Sequence, residues 1–513
     1  MTARAVEQLK AHLATIVDLR GAAAVLRWDQ ETYMPPGGAA GRAELLATLS
    51  RVAHELFTST RTHDLLKAAE AVVGQLDPES DEAALIRMTR RDYDRLSKLP
   101  TEFVAEKARA RSLSIQVWRE ARPRNDFAAF RPALGQMVNF ARRMADYLGY
   151  DEHPYDALLD IYEPGMTAKE VDALFARLRE VTLPLVRMIV QRGQVANAGF
   201  LTEEYDEARQ RSFGLSVAEA FGYDLRRGRL DESAHPFASG FNLNDVRITT
   251  RYQRRFLPSA IFGIFHEAGH AIYGQGVSAS LERTPLADGA SYGVHESQSR
   301  LWENLVGRSR PFWRHYFPKL QQHFPEQLRD VDVGTFYQAV NRLQPSLIRV
   351  EADEVTYNLH IMLRFELEKA LLEGTLSVKE LPDAWNEKMK GYLGITPPSN
   401  ADGVMQDIHW SSGSIGYFPT YTLGNIISVQ LFEAARRAHP GLRDEIERGQ
   451  FTILLGWLRE HVHRHGRKFL PRDLLKRATG SDLTPEPYLR YLQDKFGEIY
   501  GVTAVEETAR RIS

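Results

Sequence analysis

The sequence predicts a mainly α protein, one large helical body with a small β element beside its candidate site. Three observations carry that class. Apolar residues recur at helical spacing over most of the chain, period-two alternation is confined to one short stretch, and no linker rich in Gly, Ser or Pro divides the 513 residues. Length alone favours about three domains. With no internal repeat and no low-complexity run, 1–513 reads instead as a single domain.

The segments 1–20, 40–70, 79–97, 100–121, 126–149 and 168–194 show the helical pattern, with Arg and Glu on the other faces. Breaks fall at Pro35-Pro36-Gly37-Gly38, Asp77-Pro78, Pro164-Gly165 and Pro397-Pro398. The β element lies in HPFASGFNLNDVRITTRYQRR, 235–255. There Val246, Ile248 and Thr250 alternate with Arg247, Thr249 and Arg251, and Gly240 and Asn242 suit a turn before them. A short strand or hairpin is expected, either purely structural or an edge to which an extended peptide adds.

Lys plus Arg number 65 against 67 Asp plus Glu, a net charge of -2, which gives no basic face for nucleic acid. There is no cysteine, so disulfides, thiolate metal ligands and thiol nucleophiles are excluded. The stretch MTARAVEQLKAHLATIVDLRG is charged throughout and lacks the apolar core of a signal peptide. The most apolar stretch, PSAIFGIFHEAGHAIYGQG at 258–276, is interrupted by His266, Glu267 and His270, costly groups in a bilayer. A cytoplasmic protein with no membrane partner is expected.

That same stretch carries the chemistry. On a helix, His266 and His270 lie one turn apart on one face and can share an ion, with Glu267 beside the first. This is the zinc metallopeptidase pattern of two His ligands and a Glu base. The alternative is a pair of core histidines with a buried carboxylate, which the apolar flanks make expensive. A catalytic ion needs a third protein ligand. Gly276 stands where the short three-histidine spacing would need His, so the ligand must come from farther on. Glu296, near the start of a helix expected from about Val294, is one candidate, and Glu303 two turns along is its rival. Glu282 and Asp288 lie in the connecting loop. Spacing alone does not choose.

Three further stretches are rich in polar groups. SLIRVEADEVTYNLH (346–360) sets Arg349 four residues before Asp353, with Glu354 and His360 nearby; GVMQDIHWSSGSIGYFPTYTLGN (403–425) carries Gln406, Asp407, His409, Trp410, Tyr417 and Tyr421; HPF and DVRIT supply His235, Asp245 and Arg247. Singly these fit ion pairs or caps, Arg349 with Asp353 for example. Together they suit a peptide carboxylate and an oxyanion. EHVHRHGRK (460–468) sets His461, His463 and His465 at alternate positions, which spread over different faces of a helix; it reads as a solvated basic turn outside the site.

HPF at 235, DVRIT at 245, HEAGH at 266, HESQ at 295, IRVEAD at 348 and GVMQDIHW at 403, with WDQETYMP at 28, occur in an order that resembles peptidase family M32, the thermostable (Taq-type) metallocarboxypeptidases. The resemblance spans essentially the whole chain. It implies a helical fold with a deep substrate groove, like neurolysin and angiotensin-converting enzyme, and a homodimer. It implies one Zn2+ per chain, or Co2+, on His266, His270 and Glu296, with Glu267 as general base. It implies release of single carboxy-terminal residues from peptides with a free C-terminus, with broad specificity and proline disfavoured. Arg349 would meet the terminal carboxylate, and His235, Arg247, Gln406, His409 and Tyr421 would contact substrate or oxyanion. An oligopeptide endopeptidase or dipeptidyl carboxypeptidase would use the same zinc chemistry; a non-catalytic peptide-binding protein would have lost a ligand or the base.

Overall fold

The computed structural model describes residues 2–502, which form helices and one three-stranded sheet, the expected mainly α class. The residues fall into two compact units, each built from three separate stretches of chain.

The first unit comprises 1–97, 197–340 and 430–482. Its opening helix, Thr2–Thr32, buries Val6, Leu9, Leu13 and Ile16 at helical spacing against Phe57, Leu66 and Leu85. The helix therefore runs well past residue 20, the limit of the expected segment. Gly21 is mid-helix because a Cβ there would lie 2.8 Å from the Phe241 carbonyl oxygen, so only glycine admits the strand that passes it. The stretch expected as one helix over 40–70 is two, Ala39–Phe57 and Thr60–Glu70. Ser59 breaks it by capping the second, its Oγ accepting from the Thr62 N–H at 3.3 Å.

The sheet in this unit has the order β1-β3-β2, with β1 at Leu230–Glu232, β2 at Ala238–Asn242 and β3 at Asp245–Thr250. β2 and β3 form the expected antiparallel hairpin, with a register shift between Gly240 and Asn242; β1 adds in parallel, pairing Leu230 with Ile248. Three residues are too few to alternate legibly, which is why β1 escapes a pattern reading. The sheet lies along helix Leu257–Gly276: Thr250 and Pro236 approach Gly263, and Val246 approaches Gly274.

The second unit comprises 98–196, 341–429 and 483–513. Helices Thr101–Ala121 and Phe127–Leu148 pair, and Ala168–Arg192 opens with a capping box between Thr167 and Glu170. At its centre lies helix Tyr357–Glu373, whose His360, Arg364 and Glu368 recur every fourth residue and are fully buried on one face. That face grips the irregular segment 403–418. Arg364 Nε donates to Asp407 at 2.7 Å, while Glu368 accepts from Trp410 Nε1 at 2.8 Å, Gly416 N at 3.1 Å and the Tyr155 hydroxyl at 2.7 Å. No helix among the described residues is long and apolar enough to cross a membrane.

Burial raises the Glu368 carboxyl to about 7, against the pull of its three hydrogen bonds and of Arg364. Folding thus favours its protonated form. Its contribution to stability is full below the unfolded value of roughly 4.3 and is lost as pH rises towards 7. Glu368→Gln, which cannot ionise, should gain on the parent by about 2–4 kcal/mol between pH 4.5 and 7.5. Denaturant unfolding of both proteins across that range measures it, and a constant difference would exclude the shift.

Candidate metal centre

His266, Glu267 and His270 stand in the middle of helix Leu257–Gly276, whose apolar residues bury it on nearly every side. The next α-helix, Tyr292–Arg300, is preceded by Ser291, whose Oγ accepts from Val294 N at 3.0 Å. It continues without a break as a π-helical turn over Leu301–Gly307. The two helices meet backbone to backbone at Gly269. A Cβ there would stand 2.6 Å from both the Gln298 oxygen and the Ser299 Cα, so the fourth residue of HEAGH must be glycine for the helices to touch.

This contact brings Glu296 over the two imidazoles. Glu296 Oε2 lies 3.6 Å from His266 Nε2 and 3.4 Å from His270 Nε2, and one atom from each of the three residues falls within 4.8 Å of the others. These separations are long for hydrogen bonds. They match the edge of a tetrahedron whose ligands sit roughly 2.0–2.1 Å from one ion. The donor set, two imidazoles and a carboxylate, is that of a catalytic zinc site.

Each donor is held by its other atom. His266 Nδ1 bonds Glu303 Oε2 at 2.9 Å, His270 Nδ1 bonds His295 Nδ1 at 2.8 Å, and Arg300 Nε donates to Glu296 Oε1 at 2.7 Å. A ring whose Nδ1 donates presents a bare Nε2, the form that ligates. Glu303, the rival third ligand, is thus turned to the far side of His266, where Arg308 Nη2 also holds it at 3.0 Å. The π turn places it there, since wider i→i+5 turns rotate Glu303 off the face that Glu296 occupies. Glu282 and Asp288 stay outside the donor set.

The electrostatics separate the carboxylates. Burial would raise both Glu296 and Glu303, but Arg300 and the two imidazoles hold Glu296 well below the usual range, and His266, Arg308 and Arg300 bring Glu303 to about 2. Glu267 is raised by burial in spite of both imidazoles. Burial and the neighbouring His270 lower His295 to about 3, so it is neutral.

His235 is exposed just before β2, its carbonyl accepting from Ser233 Oγ at 2.6 Å. Arg247, on β3, pairs with Asp245 through two bonds of 2.8 Å and stacks over Trp28 at 4.4 Å, tying the WDQETYMP segment to the sheet.

In the second unit the structure replaces one expected pair. Residues 349–351 form a 3-10 turn rather than an α-helix, so Arg349 and Asp353 do not meet four apart. Asp353 instead holds the turn that leads into the next helix, accepting from Val355 N and Thr356 N. Arg349 is buried, with Nε and Nη2 donating to Asp407 at 3.1 and 2.8 Å and Nη1 to the Tyr357 hydroxyl at 2.7 Å. Gln406 accepts from Arg349 N at 2.9 Å and donates to the Leu347 and Asp402 carbonyls, fixing the turn that carries Arg349. His409 Nε2 lies 3.1 Å from the Tyr421 hydroxyl, and Arg349 stands 4.8 Å over the Tyr421 ring. Burial and the arginines bring His409 to about 3.

Sequence reasoning missed Arg364, Arg300 and Arg308, whose long side chains gave no pattern distinct from solvated helix faces. It also misplaced the histidine-rich turn. His463 is not solvated: it is fully buried, Nε2 bonded to Gln298 Oε1 at 2.9 Å. The expected turn is there, as a 3-10 turn after Thr452–His461 ends, but it turns His463 inward rather than to solvent.

Gly269→Ala should weaken divalent-ion binding by at least about tenfold with helix content retained. Calorimetric titration with circular dichroism checks this, and unchanged affinity would mean that the helices have slack at their contact.

The model of the Carboxypeptidase Taq (M32) metallopeptidase family matches residues 8–496. The chain is 44% identical over 488 residues to thermostable carboxypeptidase 1 of Thermus thermophilus, covering 93% of this chain and 95% of that protein. It is 41% identical over 479 residues to carboxypeptidase 1 of Bacillus subtilis, with the same coverage. The crystal structure of the M32 carboxypeptidase of Deinococcus radiodurans superposes with a TM-score of 0.94 at 44% identity, covering 97% of this chain and all of that one. With the HEAGH and HESQ helices joined at one donor cluster, the chain belongs to the M32 family of metallocarboxypeptidases.

Proposed function

We propose that the protein removes single residues from the carboxy terminus of peptides, with one zinc ion per chain on His266, His270 and Glu296, cobalt being able to replace it. The observation that carries this reading is the donor cluster whose outer atoms are all fixed by second partners. When bound, such an ion supplies Lewis acidity for attack of water on a carbonyl. Glu267 then takes the proton of the attacking water and delivers it to the departing amine, a task suited to a carboxylate whose burial raises its pKa.

A carboxypeptidase must also recognise a free carboxylate, and Arg349 supports that role by charge. Two buried guanidiniums, Arg349 and Arg364, face the single carboxylate of Asp407. The imidazoles beside them, His360 and His409, are neutral through burial. Cations thus outnumber anions by one among Arg349, Arg364 and Asp407, and Arg349 offers a fork suited to bidentate pairing. His409 and Tyr421 would add donors to substrate or oxyanion. We take the side-chain preference to be broad, with proline disfavoured because its ring nitrogen makes the scissile bond a tertiary amide. The interleaving of the two units favours one catalytic domain over 1–513, since no single cut separates them.

Mass-spectrometric time courses on one peptide with a free and one with an amidated carboxy terminus test the activity. Stepwise loss of single residues from the free peptide alone, abolished by chelation, restored by zinc or cobalt and absent in Glu267→Gln, is expected. Internal or dipeptide cuts in both peptides would favour the endopeptidase branch. For recognition, Arg349→Ala should lower kcat/KM by about 30-fold or more while metal content is unchanged. Parent-like kinetics in that variant would transfer the role to Arg247.

A further inference from the structure

The histidine-rich turn after helix Thr452–His461 has no part in the chemistry described so far, yet it is built into the connection between the two helices of the metal centre. Ser278 N donates to the Arg464 carbonyl at 3.3 Å, and Arg467 N donates to the Leu286 carbonyl at 3.0 Å. The turn is thereby clasped to two points of the loop that leads from helix Leu257–Gly276 to helix Tyr292–Arg300.

Inside this clasp, His463 touches both helices. A Cβ on Gly276, the last residue of the first helix, would lie 2.6 Å from His463 Nδ1, so glycine there makes room for the ring. On the second helix, Gln298 Nε2 donates to Ser297 Oγ at 3.0 Å, which leaves Oε1 to accept from His463 Nε2 at 2.9 Å. The His463 ring also lies 5.2 Å from the ring of Tyr273, which lies 5.0 Å from His295, the partner of His270 Nδ1. Tyr273 is anchored in turn by Ala290 N, which donates to its hydroxyl at 3.0 Å. A leucine would fill the same space without the cost of desolvating an imidazole. What imidazole adds is one directed bond, to a residue two positions from Glu296.

We propose that His463 is a positioning residue for the metal centre. Its bond to Gln298 and its packing on Tyr273 hold the helix of Glu296, and the ring of His295, in register with His266 and His270. The inference rests on the metal reading given above.

The test uses the full chain, stripped of metal, as parent, His463→Leu, His463→Gln, Gln298→Leu and the double variant His463→Leu/Gln298→Leu. Zn2+ affinity is measured by competition with a chelator, and Co2+ is followed by its visible absorption. Loss of the directed bond should weaken Zn2+ binding about 10- to 100-fold and alter the Co2+ spectrum. His463→Gln, which can still donate from Nε2, should recover most of both. The two Leu changes should be non-additive, because they remove the same bond. A lowered melting temperature of the metal-free protein with parent-like Zn2+ affinity and Co2+ spectrum would assign His463 a purely structural role and overturn the proposal. If His463→Leu does not fold, Gln298→Leu decides, and parent-like binding there overturns it equally. Failure of the parent to bind either ion would remove the metal reading and this inference together; parent binding with unaffected variants would remove the inference alone.

Discussion

The backbone contact at Gly269 is the constraint from which the metal centre follows. Helices kept apart by ordinary side chains run 8–10 Å from axis to axis, and shorter separations need small residues at the crossing. Here one missing Cβ lets the Gln298 carbonyl and the Ser299 Cα approach the helix of His266 and His270. Glu296, two residues before Gln298, is thereby set 3.4–3.6 Å from both imidazole nitrogens. The π turn after Arg300 depends on the same geometry. Its last residue, Gly307, also lacks a Cβ, which would stand 2.7 Å from the ring of Phe265, so the second helix follows the first closely past the site. Glu303 reaches the outer nitrogen of His266 from that turn. Glu303, accepting at Nδ1, holds the ring proton there and leaves Nε2 facing Glu296.

The parts of this arrangement legible in the sequence are those that a local period encodes. The i, i+4 pair of histidines and the apolar faces of the long helices could be read directly, as could the alternation of Val246, Ile248 and Thr250. What could not be read depends on partners far along the chain. Gly21, just past the expected helix 1–20, is a crossing point for Phe241, because a glycine's meaning lies in what approaches it. Glu296 and Glu303 were equivalent by spacing, and a change of helical turn distinguishes them, for which the sequence carries no period. The local alternative for Arg349, an ion pair with Asp353 four residues on, is not formed, because Asp407, 58 residues on, is its partner. The histidine segment is the turn its spacing suggests, but the burial of His463 depends on Gln298 and Gly276, far away in sequence.

The second unit shows how a buried charge can be assembled without collapsing. Burial would raise Asp407, yet two guanidiniums hold it far below the usual carboxylate range. The resulting Arg349–Asp407–Arg364 cluster keeps one positive charge more than it has negative among these three groups. Aromatic faces supply part of the compensation: Arg364 lies over Trp385 at 4.5 Å and Arg349 over Tyr421 at 4.8 Å. Gln406 and the Glu368 hydrogen bonds keep the backbone around the cluster in place. Rigidity of that kind is what recognition of a small planar anion demands, since a guanidinium fork selects a carboxylate only when its plane is fixed.

The three glutamates of the candidate metal centre differ in electrostatic environment as well as in position. Glu296 and Glu303 meet arginines, Glu296 through Arg300 and Glu303 through both Arg300 and Arg308, and this outweighs the cost of burial. They stay ionised, Glu296 within the candidate donor set and Glu303 as the partner of His266. Glu267 is as deeply placed, but its largest influences are burial and the two imidazoles, and its pKa moves the other way. A carboxylate held permanently ionised binds a cation well and transfers protons poorly; one raised towards the working pH does the reverse. The helix of Glu267 carries no arginine at all between Leu257 and Gly276. That omission is as much a part of the site as the histidines it contains.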